Sequence, residues 1–383
     1  MSRYLFPSAV LLFLCVLLIC CSSGAAADGQ KDAVDPFQGT TKMADVKWEE
    51  SAGGATSFRA PSLVEVDGEV FAVAGAQVKD GCTAGCFTGI ASKQLKKAAG
   101  VKTMTLAMDA SPFYTQVLKG SKTDAVEIID TVRPTTIVRG KNVYMLLGKC
   151  DGAASASTGL NAQHRGLLLV KGTVRKSSGA NKIEWNETYA VNTASIGLYR
   201  SWTQLSGGGG SGVVLSDGTL VFPMQATKDG KRVFLAMRLT QPNNKWELSH
   251  DVTGGEGCRD PSLVEWGKNQ VVAMAPCEQG SYDVYKSPGD GKSWYDAEPI
   301  SRVWGNSHDR KGEGVRSGFI TADIDGEKVM LLTTPVYSGE KGEGRLHLWV
   351  TDNARVYDVG SVSHEEHDTA ASSLLYRADK EGS

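Results

Sequence analysis

The chain has 383 residues, of which 41% are apolar, and its 41 basic and 43 acidic side chains leave a formal net charge of −2. A balance this close to zero argues against a nucleic-acid partner, which requires a basic surface stripe. The length is sufficient for a large core, either in one big domain or in two smaller ones.

The first 27 residues are typical of a secretory signal peptide. A positive residue at Arg3 precedes an apolar run from Ala9 to Cys21, and small residues follow at 25–27. The run is too short to span a bilayer comfortably, and no other stretch approaches the roughly 18 apolar residues of a transmembrane helix. We therefore expect a mature chain without stable membrane insertion that is secreted or held at the cell surface.

The rest of the sequence repeats one pattern five times: a short β-branched-rich run, a turn that contains glycine, and a second short run. The copies span residues 62–73, 135–147, 212–224, 262–274 and 319–333. Such a pattern predicts β-hairpins, because Asp-Gly turns readily supply the positive φ that tight hairpins need. The turn glycines are Gly68, Gly140, Gly218, Gly267 and Gly326.

The turns recur every ~50 to 80 residues, which suggests the blades of a β-propeller. A β-sandwich is the competing all-β fold, but its strands usually follow at spacings of about 8–12 residues. A sixth hairpin begins in SSLLYRADKEGS at 372–383, where the chain stops. The prediction is an all-β, six-bladed β-propeller whose sixth blade is incomplete at the C-terminus.

Five cysteines lie outside the leader, at positions 82, 86, 150, 258 and 277. Cys258 and Cys277 flank a predicted hairpin, which favours a disulfide between them, although sequence alone leaves the connectivity open. Cys82 and Cys86 lack a second Cys or His pair at matching spacing, so no metal site is predicted. Asn186 begins a glycosylation sequon, which we place in a loop.

A run of four glycines occupies residues 207–210. No Lys-Ser/Thr pair follows it, and a strand is predicted after it instead of a helix, so a phosphate-binding loop is disfavoured. We predict a flexible lead-in to the third hairpin.

In a propeller, residues that precede the innermost strands converge at one mouth of the central axis, where ligands commonly bind. Here these residues are Arg59, Asp130, Arg133, Arg259, Asp260 and Arg316. Several guanidiniums at one mouth would form a carboxylate receptor. Alternatively, each arginine pairs with a nearby carboxylate and tethers the blades.

Several segments resemble the trypanosome trans-sialidase superfamily, and the resemblance covers essentially the whole mature chain. FRAPSLVE at 58–65 is similar to the sialidase FRIP-type motif, SPGDGKSW at 287–294 resembles an Asp box, and RLHLWVTDNARVYDVG at 345–360 is similar to superfamily sequence. The resemblance implies a six-bladed propeller of the sialidase type. Active members hold the sialic acid carboxylate with three arginines and use an Asp acid/base and a Tyr nucleophile that a Glu activates.

Carried over residue by residue, the resemblance implies a degenerate site with no complete catalytic set. Arg59 matches the first arginine, Asp80 is a loose match for the acid, and Asp260 stands in place of the activating Glu. Arg133 replaces an Asp that contacts the sugar. Arg345 is retained near the position of the third arginine. These residues are therefore remnants of catalysis, and Arg59, Arg133 and Asp260 are the candidates for substrate binding.

Three further positions depart from the pattern. No arginine stands at 275–277, where the second one is expected, Glu343 occupies the place of the third, and Ala371 occupies the place of the nucleophilic Tyr. Each lost arginine removes a charge-assisted contact of about 1.5–3 kcal/mol. The resemblance is closest to the superfamily's surface-glycoprotein branches, most of which are regarded as non-enzymatic.

These observations leave three hypotheses. The first is a non-catalytic surface or secreted glycoprotein that binds host cell-surface or matrix proteins. The second is an exo-α-sialidase or trans-sialidase, and the third is a lectin for sialylated glycans. No cofactor is implied. We expect a signal peptide at 1–27, an N-terminal extension at 28–50 and the propeller at 51–383, without the lectin-like domain and lipid-anchor signal that family members usually carry.

Overall fold

The computed structural model describes residues 35–51, 55–78, 89–96, 113–122, 125–129, 131–149, 166–176, 179–192, 196, 202–240, 244–253, 258–268, 270–277, 282–297, 315–337, 344–363 and 371–377. Within these ranges, the strands form five sheets that are arranged as the blades of an all-β propeller. This described part of the chain holds no helix that is long and apolar enough to span a membrane.

Blades 1 and 2 use the first eleven strands. In chain order these are β1 Thr40–Lys42, β2 Val46–Glu50, β3 Ala55–Val66, β4 Glu69–Val78, β5 Gly89–Leu95, β6 Tyr114–Lys122, β7 Ala125–Ile128, β8 Thr131–Arg139, β9 Asn142–Lys149, β10 Leu167–Arg175 and β11 Lys182–Val191. Blade 1 has the order β2-β6-β5-β4-β3, with β7 also on β6, and blade 2 has the order β1-β11-β10-β9-β8. The innermost strands are therefore β3 and β8.

Blades 3, 4 and 5 use the remaining strands, except that the short β13 (Gly210–Ser211) pairs in parallel with β8 of blade 2. These are β12 Trp202–Gly207, β13 Gly210–Ser211, β14 Val213–Val214, β15 Leu220–Lys228, β16 Lys231–Thr240, β17 Lys245–Leu248, β18 Val252–Thr253, β19 Ser262–Glu265, β20 Gln270–Pro276, β21 Tyr282–Pro288, β22 Tyr295–Ala297, β23 Gly318–Ile324, β24 Glu327–Tyr337, β25 Gly344–Thr351 and β26 Val356–Ser361. Blade 3 has the order β12-β15-β16-β17, with β14 on β15 and β18 on β16. Blades 4 and 5 are four-stranded meanders, β19 to β22 and β23 to β26.

The five predicted hairpins are confirmed as β3-β4, β8-β9, β14-β15, β19-β20 and β23-β24. At the first turn, Asp67 and Gly68 have φ of 50° and 78°, and at the last, Asp325 and Gly326 have φ of 51° and 82°. Two consecutive left-handed residues define a type I′ turn, whose twist matches that of the flanking strands. The local chemistry of Asp-Gly thus fixes these strand pairings.

The core lies between neighbouring blades. In β20, Val271 packs towards blade 3, whereas Val272 packs towards blade 5, because successive strand residues face opposite sides of a sheet. In β15, Phe222 contacts the blade 2 side and Val221 the blade 4 side. A sheet with both faces covered has nearly continuous apolar strands, and each fully buried large side chain contributes about 1.5–3 kcal/mol.

The segment before residue 51 covers the outer edges of three blades. Strand β1 pairs with β11 of blade 2, and β2 pairs with β6 of blade 1. Phe37 stacks on Tyr189 with ring centroids 3.9 Å apart, and Trp246 Nε1 of blade 3 donates to Pro36 O at 2.7 Å. These residues belong to the range predicted as an N-terminal extension, and they add two strands to the sheets.

The turn that resembles an Asp box joins blades 3 and 4. Arg238 of β16 is 2% exposed, its Nε donates to Asp290 O at 2.9 Å, and its Nη2 forms an ion pair with Asp290 Oδ2. Trp294 is buried and meets Phe234 edge-on, with centroids 4.7 Å apart. The turn is therefore held by a buried guanidinium on one side and by an aromatic contact on the other.

Residues 371–377 lie between the innermost strands of blades 5 and 1. Ser372 N donates to Arg316 O at 3.0 Å, and Leu63 N of blade 1 donates to Ser373 Oγ at 3.1 Å. Arg377 Nε lies 3.4 Å from Glu65 Oε1. The described residues thus form five blades with an extended segment between the last and the first, and the count of six stays a prediction.

Candidate functional site

Four blades place an equivalent residue at the mouth of the axis. Ala60, Arg133, Gln204 and Asp260 are non-glycine residues with φ between 50° and 53°, and each precedes or interrupts the innermost strand of its blade. The register of β3, β8 and β12 shifts at these points. A β-bulge with a left-handed residue bends the strand and re-aims its side chain, so these four positions form a ring around the mouth.

Hydroxyl side chains join the inner strands just below this ring. Thr136 Oγ1 of blade 2 donates to Ser62 Oγ of blade 1 at 3.0 Å, and Ser262 Oγ of blade 4 donates to Ser317 O at 3.2 Å next to blade 5. Gly209 N of blade 3 donates to Thr135 Oγ1 at 2.9 Å. Because these groups are buried, their hydrogen bonds fix the distance between neighbouring blades at the axis.

An ion pair spans the mouth. Arg133 Nε of blade 2 donates to Asp260 Oδ1 of blade 4 at 2.5 Å, and the two side chains are 24% and 21% exposed. Arg259 Nε lies 3.7 Å from the other oxygen, Asp260 Oδ2. Gln225 Oε1 accepts from Asp260 N at 2.8 Å, which fixes the backbone that carries the carboxylate.

Arg316 supplies a third guanidinium at the axis. It is 6% exposed, and its Nε donates to Gly208 O at 3.3 Å while Nη1 lies 3.5 Å from Pro61 O. Burial lowers the pKa of Arg316 to about 10, and the charge of Asp260 acts in the opposite direction. The side chain therefore remains cationic at neutral pH.

The glycine run at 207–210 packs tightly in this centre, which corrects the prediction of a flexible lead-in. All four residues are buried, and they belong to or lie between β12 and β13. A Cβ on Gly208 would overlap Pro261 O, one on Gly210 would overlap the Arg316 guanidinium, and one on Gly209 would lie 2.9 Å from Ala60 Cβ. Glycine is required because other backbone and side-chain atoms occupy the space of a side chain.

The structure brings together four of the six residues predicted at the mouth, namely Arg133, Arg259, Asp260 and Arg316. Arg59 lies beside the bulge of blade 1, opposite Gly75, and it is exposed. Asp130 lies outside the described residues. Sequence reasoning missed Gln204, which is the equivalent of Arg133 in blade 3, because Gln204 lies eight residues before the predicted third hairpin at 212–224 and not directly ahead of it. The nearby glycine run was the available signal.

The other candidate residues lie apart from this cluster or beyond the described ranges. Arg345 is half-buried on β25, opposite Val336 of β24. Asp80 and Glu343 fall outside the described residues. Residues 275–277, where an arginine is expected, hold the buried Ala275 and Cys277, and Ala371 is exposed at the start of the segment that joins blades 5 and 1.

Cys258 and Cys277 form a disulfide, the pairing that the sequence favours. Asp283 lies beside it, with Oδ2 3.3 Å from Cys258 Sγ, but bridged sulfurs are not thiolate ligands, so this group does not constitute a metal site. Cys82, Cys86 and Cys150 lie outside the described residues.

Asn186 lies in strand β11, which differs from the predicted loop. It is exposed and forms the extra residue where the pairing of β10 with β11 shifts, since Lys171 faces Glu187 and Gly172 faces Trp185. The bulge leaves the side chain exposed, with its amide group 3.1 Å from Thr173 Oγ1, and glycosylation of Asn186 stays a prediction.

A family model described as a BNR repeat-like domain matches residues 60–383. The chain is 32% identical over 285 residues to a sialidase of Trypanosoma cruzi, which covers 71% of this chain and 24% of that protein. It is 29% identical over 339 residues to sialidase 85-1.1 of Trypanosoma cruzi, with 84% and 44% covered.

Solved structures of sialidases are also similar to this chain. Trypanosoma rangeli sialidase in complex with the inhibitor DANA matches with a TM-score of 0.65 and 28% identity, covering 84% of this chain and 51% of that one. A mutant of the same sialidase that displays trans-sialidase activity matches with a TM-score of 0.66 and 26% identity, covering 94% and 56%. The chain thus spans from 24% to 56% of the length of these relatives.

Proposed function

The chain belongs to the BNR repeat-like family, within the sialidase and trans-sialidase superfamily, and we propose that it is a non-catalytic member that binds macromolecules of host cells or of the extracellular matrix. In this proposal the propeller is a scaffold whose outer surface makes the contacts. The chain would be secreted or displayed at the cell surface after removal of a signal peptide, as the leader at 1–27 suggests.

The observation that carries the proposal is the ion pair between Arg133 and Asp260. By resemblance, these are the positions of an Asp that contacts the sugar and of a Glu that activates the nucleophile. Here the two side chains are hydrogen-bonded to each other at 2.5 Å and lie across the mouth. Because the carboxylate and the guanidinium are engaged with each other, neither can contact a sugar or a neighbouring hydroxyl without giving up this charge-assisted hydrogen bond.

The position of the nucleophile supports the same conclusion. Retaining glycosidases require a group that captures the oxocarbenium-like centre as well as a proton donor. Ala371 stands at the place of the nucleophilic Tyr and has no group that could form a covalent bond to a sugar. Tyr376 is nearby in the chain, but its hydroxyl donates to Asp323 O at 2.7 Å and so ties the segment to blade 5.

The outer edges of blades 4 and 5 supply a surface on which a macromolecule could bind. Tyr295 on β22 is 59% exposed, Tyr357 on β26 is 46% exposed, and Val362 just beyond β26 is 48% exposed. Exposed tyrosines are common anchors of protein interfaces because one end is apolar and the other forms hydrogen bonds. The outer edges of blades 1 and 2 are instead covered by β2 and β1.

Two measurements test the proposal. Chain expressed through a secretory host is assayed for hydrolysis and transfer with a fluorogenic sialoside, with an active trypanosomal sialidase as the positive control, and we expect no turnover. The same protein is tested for binding to mammalian cells and extracellular matrix. We expect the double variant Tyr295→Ser, Tyr357→Ser to bind at least tenfold more weakly. Sialoside turnover by the wild type, or failure of the wild type to bind, would contradict the proposal.

A second candidate function is sialic acid hydrolysis or transfer, which the names of the relatives favour since both curated matches are sialidases. This activity would use Asp80, Asp260 and Arg345 with an activated water in place of the Tyr. Turnover that Asp80→Asn abolishes would establish it. A lectin that retains only Arg59 for the carboxylate is distinguished by sialyllactose binding that Arg59→Ala removes.

We also propose that residues 371–377 form the innermost strand of a sixth blade. Their contacts with β23 through Gly318 N, which donates to Ser372 Oγ at 3.0 Å, and with Leu63 of blade 1 support this position. Deletion of 371–383 is expected to expose the Thr333 hydroxyl, which lies 2.8 Å from Ser372 Oγ, and to lower the melting temperature. An unchanged melting temperature would refute this role.

A further inference from the structure

We propose that the arginine-lined mouth of the propeller is a carboxylate-binding site that the chain's own Asp260 occupies, and that a small free carboxylate binds there when this side chain is removed. The site goes beyond the proposed function, because it concerns the centre of the propeller and not its outer surface. Its ligand class is a small monocarboxylate.

The first observation is the geometry of the carboxylate. Oδ1 of Asp260 accepts from Arg133 Nε at 2.5 Å, and Oδ2 lies 3.7 Å from Arg259 Nε. Arg133 is separated from Asp260 by 127 residues and comes from another blade, so the fold and not local sequence creates the contact. Each carboxylate oxygen thus faces a different guanidinium, as in the recognition of a free carboxylate ligand.

The second observation is a further positive charge close to the same carboxylate. The buried Arg316 lies near the same carboxylate, is held in place by Gly208 O and Pro61 O, and receives a favourable electrostatic contribution from Asp260. Among the described residues, Asp260 is the carboxylate that Arg133 contacts, so removal of Asp260 takes the counter-charge away from a guanidinium that is only 24% exposed. Loss of a counter-charge in such a position is costly, and an external anion would stabilise the vacated site.

The third observation is that the backbone tolerates this change. Asp260 has φ of 52°, a conformation that glycine adopts without a steric cost and asparagine adopts readily. Its backbone N–H remains bound to Gln225 Oε1 whatever the side chain is. The two chain neighbours of Asp260, Arg259 and Pro261, line a small cleft together with Tyr285. Loss of the carboxymethyl group of Asp260 frees the volume that acetate, which has the same carboxymethyl skeleton, would occupy.

In the wild type, the tethered carboxylate excludes a free one. A group held in position by the fold has an effective concentration far above that of a millimolar solute, so an external carboxylate does not compete. In the wild type we therefore expect no measurable binding of a small carboxylate at this site.

The experiment compares acetate with acetamide, its uncharged isostere, on the full chain. Binding is measured by ligand-observed NMR, and thermal melts are recorded with and without each compound. We expect Asp260→Gly to bind acetate in the millimolar range and at least tenfold more tightly than the wild type, with a melting temperature that acetate raises and acetamide does not. Asp260→Gly combined with Arg133→Ala should lose this binding.

Two further variants make the result decisive. Asp229→Gly is the matched control, because Asp229 has φ of 50° on the exposed β15-β16 turn, and we expect it to respond to acetate as the wild type does. Asp260→Asn keeps the size of the side chain and removes its charge, and it should bind acetate more weakly than Asp260→Gly but still more tightly than the wild type.

The proposal is overturned if folded Asp260→Gly and Asp260→Asn both bind acetate no more tightly than the wild type, or if acetamide is equally effective. Neither sialosides nor host cells are used, so this outcome is independent of the proposed function.

Discussion

Replacement of Asp290 by alanine is expected to destabilise the protein far more than the loss of an ordinary surface acid. The carboxylate is 39% exposed, but its partner Arg238 is only 2% exposed. Loss of the charge-assisted bond to Arg238 costs about 1.5–3 kcal/mol, and loss of the bond from Lys292 N to Asp290 Oδ1 costs about 0.5–1.5 kcal/mol more. Together, these two losses lower the free energy of unfolding by roughly 2–4.5 kcal/mol. This agrees with the ~3–5 kcal/mol that is typical when one partner of a buried ion pair is removed.

The matched control is Asp251→Ala. Asp251 Oδ2 lies 2.9 Å from Lys228 Nζ, but Lys228 is 38% exposed, so water replaces the lost partner and the cost should stay below about 1 kcal/mol. Free energies of unfolding are measured by urea denaturation with tryptophan fluorescence, to which Trp294 of the same turn contributes. Equal losses for the two variants would refute the claim that the buried guanidinium sets the cost. Adding Arg238→Met to Asp290→Ala should recover part of the stability, because no buried charge then remains.

Three further predictions follow from the packing and the charges. Gly208→Ala should destabilise by about 1–3 kcal/mol or more through overlap with a neighbouring carbonyl, whereas Gly179→Ala should be neutral in thermal melts because nothing lies within 4 Å of its Cβ. The disulfide between Cys258 and Cys277 closes a loop between residues that are 19 positions apart in the sequence. Its reduction should lower the free energy of unfolding by about 3 kcal/mol, and an unchanged urea midpoint would contradict this. Hydrogen bonds from Lys119 and a second lysine lower the pKa of Glu49 from 4.5 to about 2. Its stabilisation should therefore be complete above the ordinary pKa and disappear as the pH falls towards 2. The stability difference between wild type and Glu49→Gln, followed against pH, checks this, and a constant difference would disprove it.

The inner hairpins could be predicted from the sequence because their information is local. Asp67-Gly68 and Asp325-Gly326 specify their own turn geometry, and β-branched flanks complete the pattern. The outer strands could not be predicted in the same way, because long connections separate them and their partners are distant. Residues 93–95 consist of good helix formers, yet they lie in β5, where pairing with β4 overrides the local preference.

The candidate site was predictable in composition but not in geometry. Arginines before the inner strands predict convergence at the mouth, but the pairing of Arg133 with Asp260 depends on the arrangement of three blades. The glycines at 207–210 were predicted to be flexible because sequence does not reveal what lies against them, which here is Pro261 and Arg316. The bulge at Asn186 was missed for the same reason, since a register shift is a property of two strands.

The strands β1 and β2 have a consequence for synthesis on the ribosome. Thr40 pairs with Val191, so β1 leaves the ribosomal exit tunnel long before its partner has been translated. At about 5–20 residues per second, the ~150 intervening residues take roughly 8–30 seconds. During this interval the N-terminal segment is an unpaired, strand-forming peptide that a chaperone would have to shield. A slow-translating codon cluster downstream would lengthen that exposure without altering a single amino acid.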